Sequence, residues 1–214
     1  MENHKIEILR PFGPSIFKIT MPKDIIAVLN NHVDKIILDE EMSKSLDHGI
    51  NLAGNVKQEF RLENEFLKSS GFLNFLVAST SRWMELTEGK KISEFNILAS
   101  WIVRQFKNEY NPIHFHGGHI SGVGYLKVPE NFGQTFQKNK NSNLNGSLAL
   151  IHGARMFNCG STFNVTPKVG DFYFFPNYLL HMVYPFFDSN EERRSISFNA
   201  RIDEQIYNVY NRKG

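Results

Sequence analysis

The apolar positions of this chain change period near residue 90. Before that point they recur at helical spacing; after it they alternate every second residue. Ile25, Ile26, Leu29, Val33 and Ile36 predict a helix with one buried face. Pro22 opens it, and its end falls between Leu38 and Leu46. Gly and Asn content marks His48 to Val56 as a loop. A second helical region follows from Asn64 to Glu88, with Leu73, Leu76, Val77, Trp83 and Met84 on its core stripe and Gly89 as its stop. Ahead of both, Lys5 to Leu9 and Ser15 to Ile19 show short alternation and predict a hairpin or two edge strands.

From Phe95 to Arg104 the alternation is sustained. Further short strands are predicted at Ser121 to Val128, Ser147 to Ile151, Phe163 to Val165, Asp171 to Phe175, His181 to Tyr184 and Arg193 to Arg201. Pro129, Gly160, Pro167, Gly170, Pro176, Asn177 and the Asp188 to Asn190 stretch separate them as turn signals. Helices first and evenly punctuated strands afterwards imply a sandwich, jelly roll or barrel, with the helices packed on one sheet. Lys138 to Asn145 is polar, Asn-rich and reads as a mobile loop.

Composition narrows this picture only in places. A chain of 214 residues with 41% hydrophobic residues builds a core without staples, and one domain spanning 1–214 is expected: a helix-rich part to 90, a β core over 91–202 and a tail over 203–214. Nineteen phenylalanines favour sheets with large core side chains. A net charge of +2 with scattered Lys and Arg gives no electrostatic case for a nucleic-acid partner. No apolar run reaches the roughly 20 residues of a membrane span. The single Cys159 excludes an internal disulfide and is expected as a small buried or half-buried thiol. With no apolar segment at the start, a cytoplasmic protein is expected.

The candidate chemistry lies between Tyr110 and Tyr125. His114 and His116 are two residues apart in an extended segment, so their side chains project from one face, roughly 7 Å apart. Two imidazoles held that way suit one metal ion, and a third ligand must come from elsewhere. His181 opens an apolar strand far along the chain and is the candidate. His119, after two glycines, is expected on a loop at the mouth of the site, and His152 on a surface turn. Alternation puts Arg193, Ser195, Ser197 and Asn199 on one strand face and Arg194, Ile196 and Phe198 on the other. An arginine on such a polar face suits a bidentate grip on a carboxylate.

The stretches N-P-I-H-F-H, S-G-V-G-Y-L-K-V-P, P-K-V-G-D-F-Y-F-F-P, L-L-H-M-V-Y-P and R-R-S-I-S-F-N occur in this order over roughly residues 94 to 202. Together they resemble the Fe(II)- and 2-oxoglutarate-dependent oxygenases, most of all the prolyl-hydroxylase-like group. The resemblance implies a double-stranded β-helix (jelly roll) with flanking helices. It implies hydroxylation of a prime substrate, a peptidyl proline by analogy, coupled to decarboxylation of 2-oxoglutarate to succinate with O2 as the other cosubstrate. It makes His114, His116 and His181 the metal ligands. Arg193 would hold the distal carboxylate of 2-oxoglutarate and Ser195 would assist. Arg194 is the alternative should the register slip by one, and Asn111 and Tyr125 are further cosubstrate-pocket candidates. His116 stands where the family usually has a carboxylate, and Asp171 or Glu130 is the alternative ligand at that position. Two other readings stay open. One is a cupin-type three-histidine metalloenzyme that does not use 2-oxoglutarate, although no acid follows the pair between Gly117 and Gly124 and Arg193 is left unexplained. The other is a non-catalytic jelly-roll binding module.

Overall fold

The computed structural model describes residues 13–137 and 139–211. In chain order the elements are β1 (Phe17–Thr20), α1 (Lys23–Leu38), α2 (Glu40–Leu46), β2 (Gln58–Arg61), α3 (Asn64–Ser69), α4 (Phe72–Glu88), β3 (Phe95–Gln105), β4 (Asn111–His114), β5 (Ile120–Lys127), β6 (Leu148–Ile151), β7 (Thr162–Val165), β8 (Asp171–Pro176), β9 (Leu180–Val183), β10 (Arg193–Ile202) and α5 (Glu204–Tyr207). Among the described residues ten strands form two antiparallel sheets. One has the order β1-β8-β5-β10-β3-β2 and the other β4-β9-β6-β7. This is the double-stranded β-helix architecture expected from the strand pattern and the resemblance.

The helices cover the outer face of the six-stranded sheet. α1 contributes Ile25, Leu29, Val33 and Ile36, and α4 contributes Phe72, Leu76, Trp83 and Met84. They pack on Ile102, Phe172, Phe174, Ile196 and Phe198 in one apolar cluster. Each such side chain taken from water contributes about 1.5–3 kcal/mol. Gly122 and Gly124 on β5 are required by this layer. A Cβ on Gly124 would stand 2.2 Å from the Phe172 ring, and one on Gly122 would stand 2.6 Å from Phe198. The S-G-V-G-Y motif is therefore a packing device: its glycines receive rings on one face while Val123 and Tyr125 point to the other, between the sheets, with Leu148, Leu150, Val165 and Phe175.

Several local expectations change. The first helix ends at Leu38, at the near limit of the expected range; Asp39 is extended, and its side chain accepts a hydrogen bond from the Met42 amide at 2.9 Å, capping a separate helix α2. The second helical region is broken at Gly71, which takes a left-handed backbone (φ 76°) between α3 and α4. Val77 is exposed instead of joining the core stripe. β1 is an edge strand paired with β8, and the Lys5 to Leu9 stretch lies outside the described residues. The Asn-rich loop is tethered at its end: Asn145 is buried, and its amide donates to the carbonyls of Phe132 and Gly133. Cys159 is exposed rather than buried, because it sits in a tight Met156–Cys159 turn. Among the described residues no helix is long and apolar enough to cross a membrane.

Candidate metal and cosubstrate site

β4 and β9 pair antiparallel, and the register sets His114 opposite His181. His116 lies just past β4. Its amide donates to the Asn177 carbonyl at 3.0 Å, and the Asn177 side chain donates back to the His116 carbonyl at 3.0 Å. This clamp turns His116 toward the other two rings. Ring centroids are 4.2 Å apart for His114 and His181, 4.8 Å for His116 and His181, and 4.9 Å for His114 and His116.

The tautomers follow from the partners. Nδ1 of His114 lies 2.7 Å from the Pro112 carbonyl, and Nδ1 of His181 lies 2.8 Å from the Leu179 carbonyl. A carbonyl only accepts, so each Nδ1 carries the hydrogen and each Nε2 keeps its lone pair. Burial keeps all three rings neutral. The His116 pKa is pushed down to about 3 by burial and by the other two imidazoles, and His181 to about 4 by burial and His114; His114 is lowered by burial. Nε2 of His116 and of His181 are 3.1 Å apart. Two nitrogens bound side by side to one metal at ~2.1 Å would be about 3 Å apart. One ligating nitrogen from each ring falls within 4.8 Å of the others, and no carboxylate joins the group among the described residues. The donor set fits a divalent transition metal held by three neutral imidazoles.

Asp171 and Glu130 do not supply the missing carboxylate. Asp171 pairs with Lys18 at 2.6 Å, and Glu130 is exposed. His119 is not at the mouth of this site. It is buried on the helix side of β5, where Nδ1 meets the Ile202 backbone and the ring stacks on Tyr207 at 3.9 Å. His152 is exposed after β6, as its turn context implies.

The three rings line a cavity of about 210 Å³ between the sheets, together with Arg193, Ser195, Asn111 and the apolar Val123, Leu148, Phe175 and Val183. Arg193 is 1% exposed. Its Nε donates to the Gly146 carbonyl at 3.0 Å and its Nη1 to Ser195 Oγ at 3.3 Å, while Nη2 has no hydrogen-bond partner among the described residues. Its guanidinium lies over the Tyr125 ring, 5.1 Å from the centroid. Tyr125 is fully buried and its hydroxyl neighbours the Arg193 guanidinium without a hydrogen bond of regular geometry; burial raises its pKa to about 12 against the pull of Arg193, so it stays a donor. A buried guanidinium with an unused donor is costly unless an anion meets it.

Arg194 is excluded from the cavity by strand alternation. It points to the helix side, where it bonds Glu192, Asp34 and Asn30. Two cavity residues carried no sequence signal. Trp101 meets His116 edge to face at 5.5 Å. Glu59, on β2, is buried there beside Asn111.

Residues 99–199 match the family model described as "Putative 2OG-Fe(II) oxygenase". No curated protein matches the chain in sequence. Among solved structures, a Pseudomonas putida prolyl-4-hydroxylase superposes with a TM-score of 0.58 at 13% identity, covering 87% of this chain and 92% of that one. A viral collagen prolyl hydroxylase from Paramecium Bursaria Chlorella virus-1, in its 2OG complex, gives 0.56 at 16% identity over 86% of this chain and 94% of that one. HygX from Streptomyces hygroscopicus, with nickel and 2-oxoglutarate bound, gives 0.55 at 10% identity over 86% and 81%. At these identities the superpositions establish the shared jelly-roll fold. The family match runs over the strands that carry the three histidines and Arg193, so the β core of this chain resembles that of the 2OG-Fe(II) oxygenases in both sequence and fold.

Proposed function

We propose that this protein is a dioxygenase in which His114, His116 and His181 hold Fe(II) and Arg193 anchors 2-oxoglutarate. It would hydroxylate a prime substrate while 2-oxoglutarate is decarboxylated to succinate. The observation that carries this reading is the convergence of three neutral imidazoles on one cavity that also contains a buried guanidinium with a free donor. A metal site without 2-oxoglutarate leaves that guanidinium without purpose. A non-catalytic module leaves both features without purpose.

Bound iron supplies the activation of oxygen and of the 2-oxo acid. The chain supplies orientation and dryness. Pro112 and Leu179 fix two of the rings, and the Asn177 clamp fixes the third. Three neutral imidazoles leave the ion at +2, and the dianionic cosubstrate offsets that charge. Arg193 would hold the far carboxylate of the cosubstrate, with the Ser195 and Tyr125 hydroxyls as nearby donors. Val123, Leu148, Phe175 and Val183 keep water from the reacting centre. Asn111 lies at the other end of the cavity, beside Glu59, and is assigned to the prime-substrate side rather than to the cosubstrate.

The prolyl hydroxylases among the structural neighbours favour a peptidyl proline as the group hydroxylated. The test is succinate release from 2-oxoglutarate under air with added Fe(II), with and without proline-containing peptides. Turnover that disappears in His181→Ala supports the reading. Succinate formation that persists in that variant would refute it.

A further inference from the structure

Resting on the oxygenase reading, the inference concerns the end of the cavity away from Arg193. Glu59 is 1% exposed and lines the same cavity as the three histidines. Neither carboxylate oxygen makes a hydrogen bond of acceptable geometry with any described residue. Among the described lining residues Glu59 is the only acid and Arg193 the only cation, yet no ion pair joins them. The sheet register explains why. Glu59 is opposite Val103, and Val103 is opposite Ser195. The carboxylate and the Arg193–Ser195 pair therefore lie on one face of the sheet, two strands and on the order of 10 Å apart.

The surroundings of Glu59 are acidic. Burial, Asp47 and Glu109 all push its carboxyl up, to about 7, opposed only by the Asn111 amide. The loop that carries Asn51, Leu52 and Ala53 covers it: a Cβ on Gly54 would stand 2.8 Å from Glu59 Oε1 and 2.9 Å from Asn111 Nδ2. A buried acid whose oxygens meet only the ill-aligned Asn111 amide, in a negative field, is destabilising alone, and a cation that reaches it relieves both defects.

We propose that Glu59 is a specificity-determining residue that receives a cationic group, an amine or guanidinium, of the prime substrate. Arg193 and Glu59 then divide the cavity by charge, one end for the carboxylate of the cosubstrate and the other for a base on the substrate. Asn111 shares the second end as a neutral partner.

The experiment is calorimetric titration of the Mn(II)-loaded full chain with n-butylguanidinium and with its neutral isostere n-butylurea. The unmodified protein should prefer the cation by about tenfold or more. Glu59→Gln should reduce that preference to within about twofold, and Glu59→Asp, which keeps the charge, should retain part of it. A preference that survives in Glu59→Gln, or that is absent from the unmodified protein, overturns the assignment. 2-Oxoglutarate is titrated into the unmodified protein in parallel. If it binds while cation preference is absent, the Glu59 assignment fails alone. If cation preference depends on Glu59 while 2-oxoglutarate does not bind, the cation site stands and the oxygenase reading fails.

Discussion

Nε2 of His116 faces Nε2 of His181 at 3.1 Å inside the cavity between the sheets. His181 has its hydrogen on Nδ1, committed to Leu179, so a lone pair points at the gap. Such a contact is favourable only with a proton or a metal ion between the nitrogens. Metal should therefore stabilise the fold. A ligand at a hundred times its Kd adds about 2.7 kcal/mol, and for a chain of this size that raises Tm by roughly 5–10 °C. Thermal melts with and without Mn(II) or Ni(II) check this. The rise should vanish in His181→Ala, and a metal-independent Tm in the unmodified protein would refute it.

Acid should weaken the metal-free protein through the same rings. Their folded pKa values are depressed, to about 3 for His116 and about 4 for His181, below an unfolded value near 6.5. Below pH 6.5 the unfolded chain binds protons that the folded chain refuses. Stability is then lost as pH falls from 6.5 toward 4, by up to about 1.4 kcal/mol per pH unit per ring. Urea unfolding at pH 7.5, 6 and 5 measures the slope, and His116→Gln should flatten it.

Arg193 and Arg194 are neighbours with opposite assignments, which makes them a paired test. Arg193→Ala should weaken 2-oxoglutarate binding by about 2–5 kcal/mol, at least roughly thirtyfold. Arg194→Ala removes one of the two guanidinium partners of Glu192, the other being Arg104, and the partner of Asp34, and should cost about 1.5–3 kcal/mol of stability. The 2-oxoglutarate affinity of whatever Arg194→Ala protein remains folded should be unchanged. Equal effects of the two substitutions on binding would contradict the strand face assigned to each.

Glu59 should behave in the opposite sense to the histidines. Its folded pKa, about 7, exceeds the unfolded value of 4.5. Between those limits the folded chain keeps a proton that the unfolded chain has lost, so stability falls as pH rises, and the cost is complete above about pH 7. Glu59→Gln removes the cost. Its Tm should exceed that of the unmodified protein at pH 8, by at most ~3 kcal/mol in equivalent stability, and match it at pH 4.5. A loss of stability at pH 8 would show that the carboxylate is needed for folding.

Much of the site was legible because strands write their faces into the sequence. Alternation over R-R-S-I-S-F-N put Arg193 and Ser195 on the polar side and Arg194 on the other, as the register of β10 with β3 and β5 shows. The His114 and His116 spacing, with His181 at the start of an apolar strand, anticipated a cluster that only the pairing of β4 with β9 assembles. Glu59 could not be read this way. Its strand, Q-E-F-R, is four residues long and mostly polar, and it exists because it pairs with β3. His119 does sit in the loop that the two glycines mark, one residue ahead of β5, but its ring turns toward Ile202 and not toward the mouth of the site, which no glycine signal could tell. The helix breaks at Asp39 and Gly71 were marked by a capping residue and a glycine, and the two apolar stripes, Ile25 to Ile36 and Leu73 to Met84, stop short of both.

The most direct test is anaerobic calorimetric titration of 2-oxoglutarate into the Fe(II)-loaded protein. Saturable binding that requires the metal and is lost in both His181→Ala and Arg193→Ala is the predicted result. Absence of binding in the unmodified protein, or binding of undiminished affinity in Arg193→Ala, would contradict the account.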